Sequence, residues 1–393
     1  MNILIYIPRM PKAWGGIYQY TIWLLNTLSK DTQNTYYIYH NGDEQEITEL
    51  VARNPSFVLL SDGAHEETLI SFGTKLLLNL LSFLFPGKPP VRTGMDALAK
   101  KHGIDLLHSP YQNIPVTSLT CISTMHDVQE KHFSSFFSIR NRLFRYVNFR
   151  YVVRHSAKII VSFSHVKKDI ITYYKKDADD IIVCPLDLQN LWFENIRAGE
   201  VRRPAVHSSE EPYLLYPAAS WPHKNHLALL EALHLLNGQG KKIQLVCTGN
   251  NQTEHFAEIA ERIREYGLGD QVHFRGIVSA EDLYWYYRHA RAVVIPTLYE
   301  AGSFPLMESM YLGVPVVCSD VTSLPETIGD SSFTFNPGSS IDIAEKISRI
   351  FYEDDYRRAN IANNALRVEA FRKIDPAANF VAVYRSLEKD RAH

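Results

Sequence analysis

Residues 292–317 read AVVIPTLYEAGSFPLMESMYLGVPVV, and no other stretch limits the fold so tightly. Ala292-Val293-Val294-Ile295 is a short apolar run rich in β-branched residues, which predicts a buried strand. Ser303, with Pro305 just inside it, marks a helix start, and Gly313 falls where that helix should stop. Residues 314–317 then resume as a second strand. A strand–loop–helix–strand unit of this length belongs to a parallel sheet. Such sheets bind ligands at the C-terminal ends of their strands, beside the helix N-termini.

Two carboxylates fall on that edge, Glu300 in the loop and Glu308 in the helix, with seven residues between them. An ionised carboxylate accepts through two oxygens and can hold vicinal hydroxyls of a sugar or ribose. The amides of Gly302, Ser303 and Phe304 are donors without helical partners, suited to phosphate oxygens. Hydroxyl acceptors and a phosphate cradle on one short unit point to a sugar-nucleotide site. The alternative is two surface glutamates flanking an ordinary helix. The motif as a whole resembles the donor motif of family 4 retaining glycosyltransferases of the GT-B fold. That resemblance implies an α/β chain of two Rossmann-like domains facing a central cleft.

At 393 residues the chain is long for one core and suits two domains. Its 46% hydrophobic content supports substantial cores, and a formal net charge of −2 gives no global reason to expect a nucleic-acid partner. Cys121, Cys184, Cys247 and Cys318 are far apart and read as reduced, buried thiols of a cytoplasmic protein. The opening MNILIYIPRM reads directly as a strand with no charged leader, and no apolar run reaches the length of a membrane span.

In the N-terminal half, a strand over residues 2–7 leads through Gly15-Gly16 into a helix over 17–28. A glycine pair there lets backbone approach a phosphate, or simply makes a tight turn. The family resemblance implies the first role. Residues 69–85 are dense in Leu and Phe but broken by Ser71, Lys75, Asn79 and Ser82. They read either as an interfacial membrane-docking helix, with Lys75 and Asn79 preventing a span, or as a helix packed on both faces. A strand over 121–125 delivers His126-Asp127 to the ligand edge. The resemblance makes His126 the histidine that contacts the transferred sugar. Asp127 is expected to orient the imidazole or an acceptor hydroxyl, or to form an Asx turn. Arg140, Arg142, Arg145, Arg150 and Arg154 share one helical segment, read first as a solvated face and second as a contact for anionic lipid or acceptor phosphate. Asp177-Ala178-Asp179 spells a D-x-D but sits in a charged connection and reads as a turn.

Charged residues and prolines over 195–212 read as the interdomain linker. The expected domains are 1–195, for the acceptor, and 205–375, for the nucleotide-sugar donor, with a last helix at about 376–393 crossing back to the first. Within the second, a strand ends in Ala218-Ala219-Ser220-Trp221-Pro222-His223-Lys224 before a leucine-rich helix. Lys224 can meet a diphosphate as a point charge. Many relatives carry an arginine where this chain has Ala218, so the clamp here is expected to use Ser220, backbone amides or another arginine. Arg275, in Val272-His273-Phe274-Arg275-Gly276, is expected near the base or diphosphate. Residues 318–326, CSDVTSLPE, are expected to line the donor cleft or cap the next helix.

The resemblance therefore implies a hexosyltransferase that moves a sugar from a nucleotide donor to a hydroxyl with retention. Lys224 and the helix amides stabilise the leaving diphosphate, Glu300 holds the sugar, Glu308 the ribose, and His126 the sugar from the facing domain. No metal and no other cofactor is expected. WPHKNH and His126-Asp127-Val128-Gln129 look most like bacterial mannosyltransferases of polysaccharide and lipopolysaccharide assembly, which implies GDP-mannose and a glycan or lipid-linked acceptor. The expected place of work is the cytoplasm, at the inner face of the membrane, with residues 69–85 as the point of contact. A UDP-hexose or UDP-HexNAc donor, or a non-catalytic sugar-nucleotide-binding subunit, is the alternative.

Overall fold

The computed structural model describes residues 1–11, 16–42, 44–60, 69–80, 93–187, 193, 196–205 and 211–389, with no account of the side chains at 69–72, 80, 198 and 389. The chain divides into two compact units. The first comprises Met1–Leu186 with Asp375–His393, the second Asp187–Ile374. The first unit thus ends ahead of the expected boundary at 195, and residues 196–205 fall in the second.

The first unit is built on β1 (Asn2–Tyr6), β2 (Thr35–Tyr39), β3 (Phe57–Leu60), β4 (Leu106–Ser109), β5 (Thr120–Thr124), β6 (Ser156–Val161) and β7 (Ile181–Val183). They form one sheet in the order β3-β2-β1-β4-β5-β6-β7, with parallel pairing throughout. Strands such as Asn2–Tyr6 and Leu106–Ser109 are buried on both faces because helices cover both faces of a parallel sheet. The order reverses between β1 and β4, so their C-terminal ends open a crevice there. Gly16 opens the helix Gly16–Leu28 that follows β1, while Gly15 lies outside the described residues. The closing helix, Pro376–Lys389, packs on Gly16–Leu28 and sets Phe380 and Tyr384 beside His108.

The second unit holds β8 (Tyr213–Pro217), β9 (Gln244–Thr248), β10 (Val272–Phe274), β11 (Ala292–Ile295), β12 (Val316–Ser319) and β13 (Thr334–Phe335). Their order is β10-β9-β8-β11-β12-β13, again all parallel. The stretch that opened the sequence analysis forms as expected. Val293 pairs with Val316, and the helix Phe304–Tyr311 lies between the two strands. Ser303 caps it by accepting from the Leu306 amide, and Gly313, at φ +70°, turns the chain out of it. The order reverses between β8 and β11, which places the loops carrying Lys224 and Glu300 side by side. Each unit has the Rossmann-like α/β architecture that the resemblance implied.

Gly249, after β9, adopts φ +113°, and a Cβ there would lie 2.8 Å from the Ala218 carbonyl carbon. The backbones after β8 and β9 therefore approach within a distance only glycine permits. Gly249→Ala should cost about 1–3 kcal/mol from the backbone conformation alone. A urea titration checks it, and an unchanged midpoint would mean the two loops are not tied in this way.

Two other segments refine the sequence reading. Asp177–Asp180 forms a turn ahead of β7 in which Asp177 Oδ1 accepts from the Asp179 amide, at the N-terminal edge of the sheet and away from the ligand edge. The Leu-rich segment forms a helix over Leu69–Leu80, and residues 81–85 lie outside the described residues. Lys75 and Asn79 are buried against the helix Ile139–His155, which agrees with the reading of a helix packed on both faces. Lys75 Nζ donates to Asn113 Oδ1 at 2.8 Å and to Asn148 Oδ1 at 3.3 Å, and Asn79 Nδ2 donates to the Val147 carbonyl at 2.8 Å. These bonds hold polar groups within a seam that also buries Leu78 with Phe149, Tyr151 and Val152.

Candidate active site

In the second unit the ligand edge is assembled by three loops. The turn Pro222–Lys224 after β8 is fixed by Asn225, a non-glycine residue at φ +60° whose Nδ2 donates to the Pro296 and Pro337 carbonyls at 2.9 Å. The His223 carbonyl accepts from the Leu298 amide and the Thr297 hydroxyl, which ties the turn to the loop after β11. Lys224 Nζ then donates to Glu300 Oε2 at 2.6 Å. Both side chains are mostly buried, so the contact is a built ion pair and not a loose surface one.

Glu300 is held from a third loop that sequence patterning left without a specific role. Thr322 Oγ1 accepts from the Glu300 amide at 3.1 Å and donates to its carbonyl at 2.7 Å, while Ser323 Oγ donates to the same carbonyl at 3.0 Å. Thr322 sits at φ +52°, a costly conformation for a β-branched residue. The surrounding loops therefore hold the Glu300 backbone against local strain. The only sequence signal was the family-like CSDVTSLPE segment, which named no partner.

Next to Glu300, the amides of Gly302, Ser303 and Phe304 find no acceptor among the described residues, and Pro305 has no N–H to offer. They are the free donors expected at this helix start. Glu308, one turn further on, is buried, and the Tyr287 hydroxyl donates to its Oε2 at 2.6 Å. Burial first, then the Glu308 charge, push the Tyr287 phenol well above its ordinary value, so it stays a donor. Nothing in the spacing of Tyr287 foretold this contact.

The remaining residues expected in the donor site divide. Ser220 is buried, its hydroxyl bonded to Thr253 Oγ1 at 2.7 Å and to the Asn250 carbonyl at 3.2 Å. That hydroxyl ties the loops after β8 and β9 together, alongside the close approach at Gly249. Arg275 follows β10 on the same sheet edge, its amide bonded to the Cys247 carbonyl at 2.8 Å. Lys224, Glu300 and the three amides are brought together; Arg275 stands on a strand two places from β8.

In the first unit, His126 follows β5. Its Nε2 lies 2.9 Å from the Pro110 carbonyl oxygen, which fixes the proton on that nitrogen and leaves Nδ1 as the acceptor. Burial lowers its pKa, so the ring is a neutral hydrogen-bonding group. Tyr20 packs edge-on at 4.5 Å, and its hydroxyl lies 3.3 Å from Thr124 Oγ1. Thr124 in turn meets His108 Nε2 at 3.1 Å, and His108 Nδ1 meets the Tyr384 hydroxyl at 2.8 Å. Burial pushes His108 down to about 3, so one ring nitrogen donates and the other accepts. The last helix of the chain thus reaches the support of His126. Asp127 does not bond the imidazole. It accepts from Arg145 Nη2 at 2.5 Å and from the Gln129 amide at 3.3 Å, forming the Asx turn that opens the next short helix.

Residues 199–368 match the family described as glycosyl transferases group 1. Among curated relatives, O-antigen chain mannosyltransferase B of Escherichia coli is 29% identical over 238 residues, covering 59% of this chain and 61% of that protein. O-antigen chain mannosyltransferase RfbU of Salmonella typhimurium is 25% identical over 232 residues, with coverage of 59% and 61%. The chain spans about three-fifths of the length of these relatives. Among solved structures, a glycosyltransferase from Rickettsia africae ESF-5 superposes with a TM-score of 0.70 at 17% identity, covering 99% of this chain and 98% of that one. Anabaena Alr3699/HepE, in complex with UDP and glucose, gives 0.65 at 17% identity, covering 99% and 100%.

Proposed function

We propose, for a chain whose residues 199–368 match the group 1 glycosyltransferases and whose fold is that of GT-B proteins, that it transfers mannose from GDP-mannose to a hydroxyl of a glycan or lipid-linked acceptor with retention of configuration. The observation that carries the transferase reading is the Lys224–Glu300 pair at the reversal of the second sheet, beside three free amides. A nucleotide sugar places its diphosphate and sugar on adjacent atoms. A cation and a carboxylate 2.6 Å apart are arranged to meet both at once. The names of the O-antigen mannosyltransferases support mannose as the sugar and surface-polysaccharide assembly as the setting.

In this reading the leaving diphosphate is stabilised by Lys224 and the amides of Gly302, Ser303 and Phe304, which are fixed before the reaction begins. The sugar–oxygen bond breaks ahead of acceptor attack, giving an oxocarbenium-like sugar held by Glu300. Glu308, kept in place by Tyr287, takes the ribose hydroxyls. His126 offers Nδ1 to a sugar hydroxyl. The acceptor hydroxyl then attacks from the face the diphosphate has left, giving its proton to an oxygen of the departing diphosphate as the new bond forms.

No metal ion takes part in this reading, because Lys224 and the amides supply the positive potential a cation would. Donor turnover should therefore survive excess EDTA. Abolition by EDTA, restored by Mn²⁺ or Mg²⁺, would contradict a cation-free clamp. The donor itself is tested by release of nucleoside diphosphate from a panel of nucleotide sugars, with GDP-mannose expected to lead. Faster turnover of a UDP-hexose or UDP-HexNAc would replace GDP-mannose with that donor. No helix among the described residues is long and apolar enough to cross a membrane. A lipid-linked acceptor would place the enzyme peripherally on the inner face of the cytoplasmic membrane.

A further inference from the structure

The helix Ile139–His155 buries Val147, Phe149 and Tyr151–Val153 in the core of its unit, but its N-terminal half turns apolar side chains to water. Its first two turns carry several exposed side chains. Ile139 is 83% exposed, Leu143 and Phe144 55% each, and Tyr146 45%. Ile139, Leu143, Tyr146 and Arg150 recur at i, i+4, i+7 and i+11 and so share one face. Toward the helix Leu69–Leu80, Ile139–His155 presents both apolar core, with Leu78, and buried polar contacts through Lys75, Asn79 and Asn148. That neighbouring helix turns Leu76 and Leu77 outward.

The charge on this projection has one sign. From residue 131 to residue 150 there are five Lys and Arg residues and no Asp or Glu. Arg145 is turned inward to Asp127 and Glu130. Arg140 and Arg142 are exposed and meet no partner among the described residues, and Arg150 reaches only the Tyr146 hydroxyl, at 3.3 Å. Apolar side chains ringed by unpaired arginines fit a surface that is anionic at its face and apolar just beneath it.

We propose that the first turns of Ile139–His155 dock the protein on an anionic lipid leaflet. Ile139, Leu143 and Phe144 enter the headgroup layer, and Arg140, Arg142 and Arg150 read its charge. The membrane contact is thereby assigned to this helix, with the outer side of Leu69–Leu80 as its flank. The proposal deepens the lipid-linked acceptor reading and takes its setting from it, yet vesicle binding can be measured with no donor present.

The test is co-sedimentation of the full chain with vesicles of phosphatidylcholine, alone or mixed with phosphatidylglycerol. The wild type should pellet with the mixed vesicles and be released by salt. Each arginine near an anionic surface adds about fivefold to partitioning, so Arg140→Ser, Arg142→Ser and Arg150→Ser together should lower it about a hundredfold. Leu143→Ser with Phe144→Ser should abolish pelleting. Because the changed side chains are exposed, the variants should keep wild-type melting temperature and diphosphate affinity. The proposal is overturned if the wild type ignores mixed vesicles, if either variant pellets as the wild type does, or if the Ser variants instead dissociate a dimer seen by light scattering. Vesicle binding that persists in a protein unable to turn over any nucleotide sugar would leave the docking surface standing and remove only the transferase reading.

Discussion

Replacement of Lys224 by alanine is expected to lower the release of nucleoside diphosphate from the donor sugar by about 10²–10³-fold, the range for removing one fixed group that stabilises developing negative charge. The side chain bonds Glu300 at 2.6 Å in a mostly buried pair, so its loss also strips that carboxylate of its partner. Both consequences fall on the bond being broken. The unfolding midpoint should move far less than the rate, since the loop is also fixed by Asn225 and by the His223 carbonyl. Lys224→Arg should recover little, because a planar fork does not replace a compact ammonium in so short a contact. Steady-state rates of donor hydrolysis check this. A variant within tenfold of wild type would remove Lys224 from the chemistry.

The second large effect separates the two glutamates. Glu308→Gln keeps the shape of a buried side chain and a carbonyl for Tyr287, but it removes the charge that accepts ribose hydroxyls. A hydrogen bond to a charged group is worth about 1.5–3 kcal/mol, so GDP affinity should fall about 10- to 100-fold. Glu300→Gln should leave GDP affinity within about threefold and lower turnover instead, because its partner is the sugar. Calorimetric titration with GDP and with UDP, beside turnover of the intact donor, distinguishes the two variants. Equal losses of diphosphate affinity in both would end this division of labour.

Local features of the fold could be read from the chain directly. Ser303 and Pro305 announced a helix start, Gly313 its end, and β-branched runs announced the strands on either side. Lys224 and Glu300 are far apart in sequence, yet each stands after a strand of a parallel sheet, and sheet order alone brings them together. The supports of these residues were not readable in the same way. Thr322 and Ser323 reach Glu300, Tyr287 reaches Glu308, and Tyr384 reaches His108 through tertiary packing that no local spacing encodes. Lys75 and Asn79 left two readings open in the sequence, an interfacial helix or one packed on both faces. Only the buried partners Asn113, Asn148 and the Val147 carbonyl, from elsewhere in the chain, favour the second. On the same helix Leu76 and Leu77 face outward.

The most direct measurement for the central claim is proton NMR of the purified chain turning over GDP-mannose, following GDP release and the anomeric signal of the first mannose product together. The account predicts GDP and an α-configured product appearing at equal rates. A β-configured first product would contradict retention. GDP-mannose bound tightly but never cleaved, with every other nucleotide sugar equally inert, would make the chain a binding subunit and contradict transfer itself.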